Sequence, residues 1–300
     1  MSEQAALGID IGGTNVRFAL LDSKMNLEHP ELIRAASLGT GDLVDNLLDV
    51  VDEYAAEHNV NLVGAGVGIP GIVRQDGTVL SCPNIGGLEG VRLGDLITAR
   101  LSVPTFVGKD TNFLLYGEYQ ELKQAGYGNV LGFYIGTGFG AAFIIDGQLL
   151  LGSRGFAGEL GHIPLIGKDG LCGCGNRGCL EVYGAGRALT EYARRENQDV
   201  AEFFSSAQNG KAVKEFIQYV AVGVATAVNI FDPQCIVLGG GVLAMVDFPL
   251  EELQSTIRSM LRSDEQRHDL VMVQSNAGVF GGCLGAGAYC WSQLGSNKGI

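Results

Sequence analysis

The stretch G-I-D-I-G-G-T-N-V-R-F-A-L (residues 8–20) has a counterpart later in the chain, G-F-Y-I-G-T-G-F-G-A-A-F-I (residues 132–144). Each reads as an apolar strand, a turn of small residues and a second apolar strand, the pattern of a hairpin. Such a recurrence marks an internal repeat and two similar α/β halves. Working outward from the first copy, residues 42–58 show helical apolar spacing, 61–69 a strand, 93–101 a helix, 105–108 a strand and 112–124 a helix. From the second copy the chain runs through a long, mostly apolar helix at 211–231, a strand at 235–238, a helix at 250–261, a strand at 270–274 and a small-residue helix at 281–291. The expected division is a small N-terminal α/β domain over 1–117, closed by the helix at about 281–291, and a larger α/β domain over 118–280. The tail 292–300 is expected to be flexible.

The 300 residues are 46% hydrophobic, enough for a large core in each of two domains. A formal net charge of −13 repels polyanions, which speaks against nucleic acid or an anionic membrane surface as partner. The opening M-S-E-Q-A-A-L-G-I-D lacks a basic region followed by a long apolar run, and no apolar stretch of membrane length lacks turn residues. The expected location is cytoplasmic. Of the seven cysteines, Cys82, Cys235, Cys283 and Cys290 sit in apolar surroundings and read as buried free thiols.

Glycine turns suit polyphosphate because backbone N–H groups close on oxygens only where no Cβ intervenes. Three turns qualify: Gly12-Gly13-Thr14-Asn15, Gly136-Thr137-Gly138 and Gly239-Gly240-Gly241. Asp10, just ahead of the first, is placed to hold Mg2+ through water. An ordinary hairpin is the rival for any one turn alone. Two G-x-G-x-x-G spacings suggest a dinucleotide instead, but Gly173 lies between cysteines with no strand before it, and residues 66–71 (G-V-G-I-P-G) carry Pro70 where a helix should begin. With 46 glycines, chance matches are expected, and no P-loop is present.

Lys109-Asp110-Thr111-Asn112 falls between a strand end and a helix start, where open α/β sheets put ligands, so Asp110 is a candidate general base; a helix N-cap is the alternative. Asn84, in S-C-P-N-I-G-G, offers an amide for a sugar hydroxyl or simply a turn residue. His162 with Cys172, Cys174 and Cys179 has the donor set of a closed, structural Cys3His zinc site; a reduced metal-free loop is the alternative. Zinc would fix Glu159 and Glu181, two carboxylates able to grip vicinal hydroxyls.

Taken together, D-I-G-G-T-N, C-P-N, K-D-T-N, I-G-T-G-F-G, G-E-L-G-H, C-G-C-G-N-R-G-C-L-E and L-G-G-G-V resemble the ROK family of sugar kinases over nearly the whole chain. The resemblance implies an actin-like, ribonuclease H-like two-domain fold with ATP and a hexose in the cleft between the domains, and a homodimer. It implies that Asp10 and Gly12–Asn15 face ATP and Mg2+, together with the turns at Gly136 and Gly239. Asp110 would be the base, and Asn84, Glu159, His162 and Glu181 would hold the sugar, with His162 serving zinc as well. Residues 231–249 are most similar to members acting on D-allose, and Lys109 stands where glucose-directed members usually carry Asn. The expected reaction is therefore phosphorylation of the 6-hydroxyl of D-allose, with Lys109 near the sugar. The family also includes sugar-responsive repressors; a first strand near Ala6 is expected to leave no room for their helix-turn-helix.

Overall fold

A computed structural model describes residues 4–38, 43–58, 60–83 and 85–296. The chain forms two compact units, unit 1 (Met1–Gln124, Leu151–Ala157 and Ala277–Ile300) and unit 2 (Ala125–Leu150 and Gly158–Asn276). In unit 1, β1 (Gln4–Ile11), β2 (Asn15–Asp22) and β3 (Leu27–Arg34) form an antiparallel meander, followed by α1 (Leu43–Glu57), β4 (Asn61–Ile69), the short hairpin β5 (Ile72–Val73) and β6 (Val79–Ser81), α2 (Leu93–Leu101), β7 (Thr105–Lys109) and α3 (Asp110–Gln124). Unit 2 repeats the plan with β8 (Val130–Ile135), β9 (Phe139–Ile145) and β10 (Gln148–Leu149), then α4 (Glu181–Gly184), α5 (Gly186–Glu196), α6 (Gly210–Phe231), β11 (Cys235–Gly239), α7 (Leu250–Ser259), α8 (Asp264–Asp269) and β12 (Val271–Gln274). The last helix, α9 (Gly281–Ser296), belongs to unit 1.

The sheet orders are β3-β2-β1-β4-β7 and β10-β9-β8-β11-β12, the same topology twice, as the repeated stretch predicts. In each sheet the opening hairpin is antiparallel, and the next two strands run parallel to its first strand. This is the α/β, actin-like two-unit fold. Central strands such as β8 are buried along their whole length and correspondingly apolar, whereas the edge strand β3 is largely exposed and carries Glu28, Glu31 and Arg34. Each unit has its own core: Phe18, Leu47, Val51, Val67 and Ile97 in unit 1, Phe133, Leu180, Phe216, Val224 and Ile257 in unit 2.

Two expectations change. A boundary at residue 117 is replaced by one at Gln124, because α3 is continuous and Gly117 sits in its buried middle, where a Cβ would come within 3.1 Å of Gly285 N on α9. The stretch Leu151–Ala157 also joins unit 1, held by the Gln75 side-chain amide donating to Gly152 O. The tail expected from residue 292 is helical to Ser296, because Trp291 Nε1 donates to Leu21 O at 3.1 Å and pins the last turns; residues 297–300 lie outside the described chain. Close packing of α9 also explains glycines in the strands. A Cβ on Gly66, inside one of the G-x-G-x-x-G spacings, would lie 2.0 Å from Ala286 O, so that glycine admits a helix rather than a dinucleotide.

Candidate active site

In unit 1 the parallel register sets the site. Asp10 on β1 pairs with Gly68 on β4, which pairs with Gly108 on β7, and Lys109 and Asp110 follow directly. Gly68 has no side chain, and a Cβ there would lie 3.4 Å from the Asp110 Cα, so Asp10 and Asp110 stand on either side of β4, at the carboxyl ends of β1 and β7. The hairpin register also places Arg17 across from Asp10, and its Nη1 donates to Asp10 Oδ2 at 3.2 Å. Burial raises the Asp10 pKa above the ordinary carboxylate value even though Arg17 acts to lower it. Asp110 opens α3, and its Oδ1 accepts from the Thr111 N–H at 2.6 Å, an N-terminal carboxylate favoured by the helix dipole. Asp110 therefore stands in the first helical turn and is not the N-cap.

Four buried polar atoms in this group lack hydrogen-bond partners: Asn15 Oδ1, Arg17 Nε, Thr111 Oγ1 and Asn112 Oδ1. Buried groups of this kind are ordinarily paired, and exceptions collect where a ligand completes them. Gly12 N donates to Asn15 O at 2.8 Å, closing the first turn. Asn84 lies outside the described residues.

Unit 2 brings the other two glycine turns together. Gly136-Thr137-Gly138 joins β8 to β9, and Val242 N, just beyond Gly239-Gly240-Gly241, donates to Ile135 O at 2.9 Å. Gly240 has φ +96°, and a Cβ would fall 2.4 Å from Ile135 O, so glycine is obligatory there for the fold itself. The start of α5 caps the first of these turns, Gly186 N donating to Gly136 O and Arg187 N to Thr137 O.

The G-E-L-G-H segment forms a single 3-10 turn over Leu160–His162 in place of an α-helical turn. It sets His162 Nε2 3.5 Å from Glu159 Oε2 and turns Nδ1 to Cys172 Sγ at 3.6 Å. One donor atom from each of His162, Cys172, Cys174 and Cys179 lies within 4.8 Å of the others, and the Cys174 and Cys179 sulfurs are 3.7 Å apart. A tetrahedron with Zn–S bonds of about 2.3 Å has S···S edges of about 3.8 Å, so the residues fit zinc in both chemistry and spacing. Glu159 then stands on the far nitrogen of the ligand histidine, the usual place of an orienting carboxylate. Burial raises the thiol pKa of Cys172 and pushes that of Cys179 up to about 12, whereas the Asn176 backbone N–H lowers that of the exposed Cys174. Glu181, the first residue of α4, accepts from Phe139 N at Oε2 (3.1 Å) and from Arg187 Nη1 at Oε1 (3.4 Å).

Within unit 1 the structure therefore groups Asp10, the Gly12–Asn15 turn, Lys109 and Asp110; within unit 2 it groups Glu159, His162, Glu181, the three cysteines and the turns at Gly136 and Gly239. Arg17 and Arg187 were missed from sequence. Pairing β1 with β2 across a four-residue turn signals Arg17, whereas Arg187 lies on a helix that the sequence pattern did not reveal. The cysteines Cys82, Cys235, Cys283 and Cys290 are free and buried. No helix among the described residues is long and apolar enough to cross a membrane.

A twice-built sheet carrying paired glycine turns and a Cys3His loop defines the class. Residues 6–293 match the ROK family, and the chain belongs to it. It is 28% identical to a glucokinase of Streptomyces coelicolor, covering 93% of this chain and 95% of that protein, and 29% identical to an N-acetyl-D-glucosamine kinase of Pasteurella multocida, covering 95% and 99%. Its fold superposes on a ROK family glucokinase from Streptomyces griseus, solved in complex with glucose and AMPPNP, with a TM-score of 0.79 at 26% identity, over 96% of this chain and 99% of that one.

Proposed function

We propose that this protein is an ATP-dependent sugar kinase that phosphorylates the 6-hydroxyl of a hexose, D-allose. The observation that carries the chemistry is the group of Asp10, Asn15, Arg17, Asp110, Thr111 and Asn112 at the strand ends of unit 1, with four buried polar atoms awaiting partners. Family membership and the similarity to proteins named for glucose and N-acetylglucosamine support a hexose-class acceptor.

In this reading Asp110 accepts the proton of the attacking hydroxyl, and the Thr111 N–H holds the carboxylate in place. Amides of the turns at Gly12, Gly136 and Gly239 bind phosphate oxygens, with Asp10 holding the water shell of Mg2+. Magnesium supplies charge neutralisation on the polyphosphate; in a loose transition state such positioning outweighs base strength. Glu159, His162, Glu181 and Asn84 bind sugar hydroxyls, and His162, Cys172, Cys174 and Cys179 hold a structural zinc that stiffens the first three. Sedimentation of the purified chain tests the expected homodimer.

Allose and glucose differ only in the direction of the 3-hydroxyl. Lysine donates from a flexible, charged stem, whereas asparagine both donates and accepts. A coupled ADP-release assay over a panel of aldohexoses tests the reading, with allose expected to give the highest kcat/KM. Lys109→Asn is expected to move the allose-to-glucose ratio toward glucose by about tenfold to a hundredfold, the worth of roughly 1.5–3 kcal/mol for a charged hydrogen bond. An unchanged ratio would remove Lys109 from substrate selection and leave the kinase intact; no turnover with any hexose would overturn the kinase reading.

A further inference from the structure

Arg187 stands at an unfavourable place. It is in the first turn of α5, where the helix dipole disfavours a cation, whereas Arg194 and Arg195 sit in the last turn, where the dipole favours them. Its contacts give the reason. The backbone N–H donates to Thr137 O in the middle of a glycine turn, the guanidinium donates to Glu181 Oε1 at 3.4 Å, and Nη1 lies 3.7 Å from where a Cβ of Gly173 would stand, between Cys172 and Cys174. Glu181 completes the connection. Its Oε2 accepts from Phe139 N, the residue directly after the turn, and Oε1 is 3.8 Å from Cys172 Sγ. The turn leaves no slack on this side, because a Cβ on Gly138 would fall 2.5 Å from Glu181 Oε2.

We infer that Arg187 is a positioning residue which, by holding the Glu181 carboxylate, couples the cysteine loop to the Gly136-Thr137-Gly138 turn so that the two order together. Both of the Glu181 oxygens are engaged inside unit 2, so its primary duty is this connection, and any sugar hydroxyl binds to the lone pairs left over. The consequence for nucleotide rests on the proposed kinase reading; the coupling itself does not.

The test is built to separate the two. Amide hydrogen exchange on the Zn2+-loaded, nucleotide-free chain reads the coupling directly. Chelation of the metal is expected to speed exchange at Phe139, Gly186 and Arg187 about tenfold or more, with peptides from β11 and β12 as unaffected controls. Arg187→Ala is expected to show the same speeding with zinc still bound, chelation to add little further, and Arg187→Lys to recover part of the protection. Such non-additivity is the signature of two parts of one network. Titration with AMPPNP and Mg2+ then reads function: about tenfold weaker affinity on chelation and in Arg187→Ala, again not additive. Unchanged exchange at residues 136–139 on chelation, wild-type exchange in Arg187→Ala, or strictly additive effects would overturn the coupling. Coupled exchange without any AMPPNP binding by the wild-type chain would support the coupling and overturn the nucleotide reading alone.

Discussion

In unit 1 the hairpin pairs Ile11 with Val16 around a four-residue turn, and in unit 2 Ile135 pairs with Phe139 around three residues. Asp10, one residue before the first turn, therefore has Tyr134 as its counterpart, and the ion-pair partner Arg17 has Gly140. The first turn thus stands beside a half-buried carboxylate, a guanidinium and polar atoms without partners, whereas the second is capped by Gly186 and Arg187 and braced by Glu181. One sheet topology has been dressed in two ways. Unit 1 keeps unpartnered buried side-chain atoms beside its turn, which suits chemistry; unit 2 braces its turn through the Gly136 and Thr137 carbonyls, which suits holding a shape.

The sharpest break in that contrast is Asp110→Asn in unit 1. It keeps the shape of the side chain but removes the proton acceptor, so kcat should fall on the order of 10²-fold or more while sugar binding, measured by calorimetry, persists. Near-normal turnover would leave Asp110 as a first-turn helix residue and nothing else.

Glycines sharpen the same contrast within unit 2. Gly240→Ala has to accept φ +96° and overlap with the Ile135 backbone, and should cost about 2 kcal/mol or more of stability, roughly thirtyfold in the folding equilibrium. Gly136→Ala meets nothing within 4 Å, so its melting temperature should hold while KM for ATP rises. A loss of stability equal to that of Gly240→Ala would show that the turn is glycine-rich for folding alone.

Metal dependence should be confined to unit 2. Elemental analysis is expected to give about one zinc per chain, and Cys174→Ser to lower metal content and weaken sugar binding about tenfold together. Full sugar affinity in zinc-free protein would detach the cysteine loop from Glu159 and Glu181.

A smaller effect belongs to unit 1. Burial raises the Asp10 pKa and Arg17 counters it, so the carboxylate protonates above the ordinary range as pH falls. If ionised Asp10 is needed, the acid limb of kcat/KM lies above that range, and Arg17→Met should move it further up, lowering the rate on the limb. A limb that stays put in Arg17→Met would assign it to another group.

Much of this was legible along the chain. The recurrence of residues 8–20 at 132–144 gave two α/β halves because a strand-turn-strand pattern is local and its apolar runs follow from burial of central strands. Cysteine and histidine spacing picked out a donor set, and in the structure one atom from each of His162, Cys172, Cys174 and Cys179 lies within 4.8 Å of the others. What lay beyond local pattern was missed or misplaced. The edge strand β3 is polar and exposed, so it carries no apolar alternation, and α5 is mostly polar, its apolar face reduced to a few residues around Leu189 and Ala193. The α9 extension to Ser296 depends on Trp291 reaching Leu21, on the far side of the sequence.

The sequence by itself determined the residue types that can do chemistry, Asp10, Asp110, Glu159, His162, Glu181 and the cysteines, and the order of elements that carries them. Only the tertiary structure decided which glycines face backbone and which face open space: Gly66 makes room for α9, Gly240 for Ile135, and Gly136 for neither. A one-letter code records that a Cβ is missing but not what occupies its place. The same holds for Arg17 and Arg187, whose partners are set by strand register and by the meeting of a helix start with a distant turn. Such contacts arise when separate segments pack, and sequence spacing carries no measure of that distance.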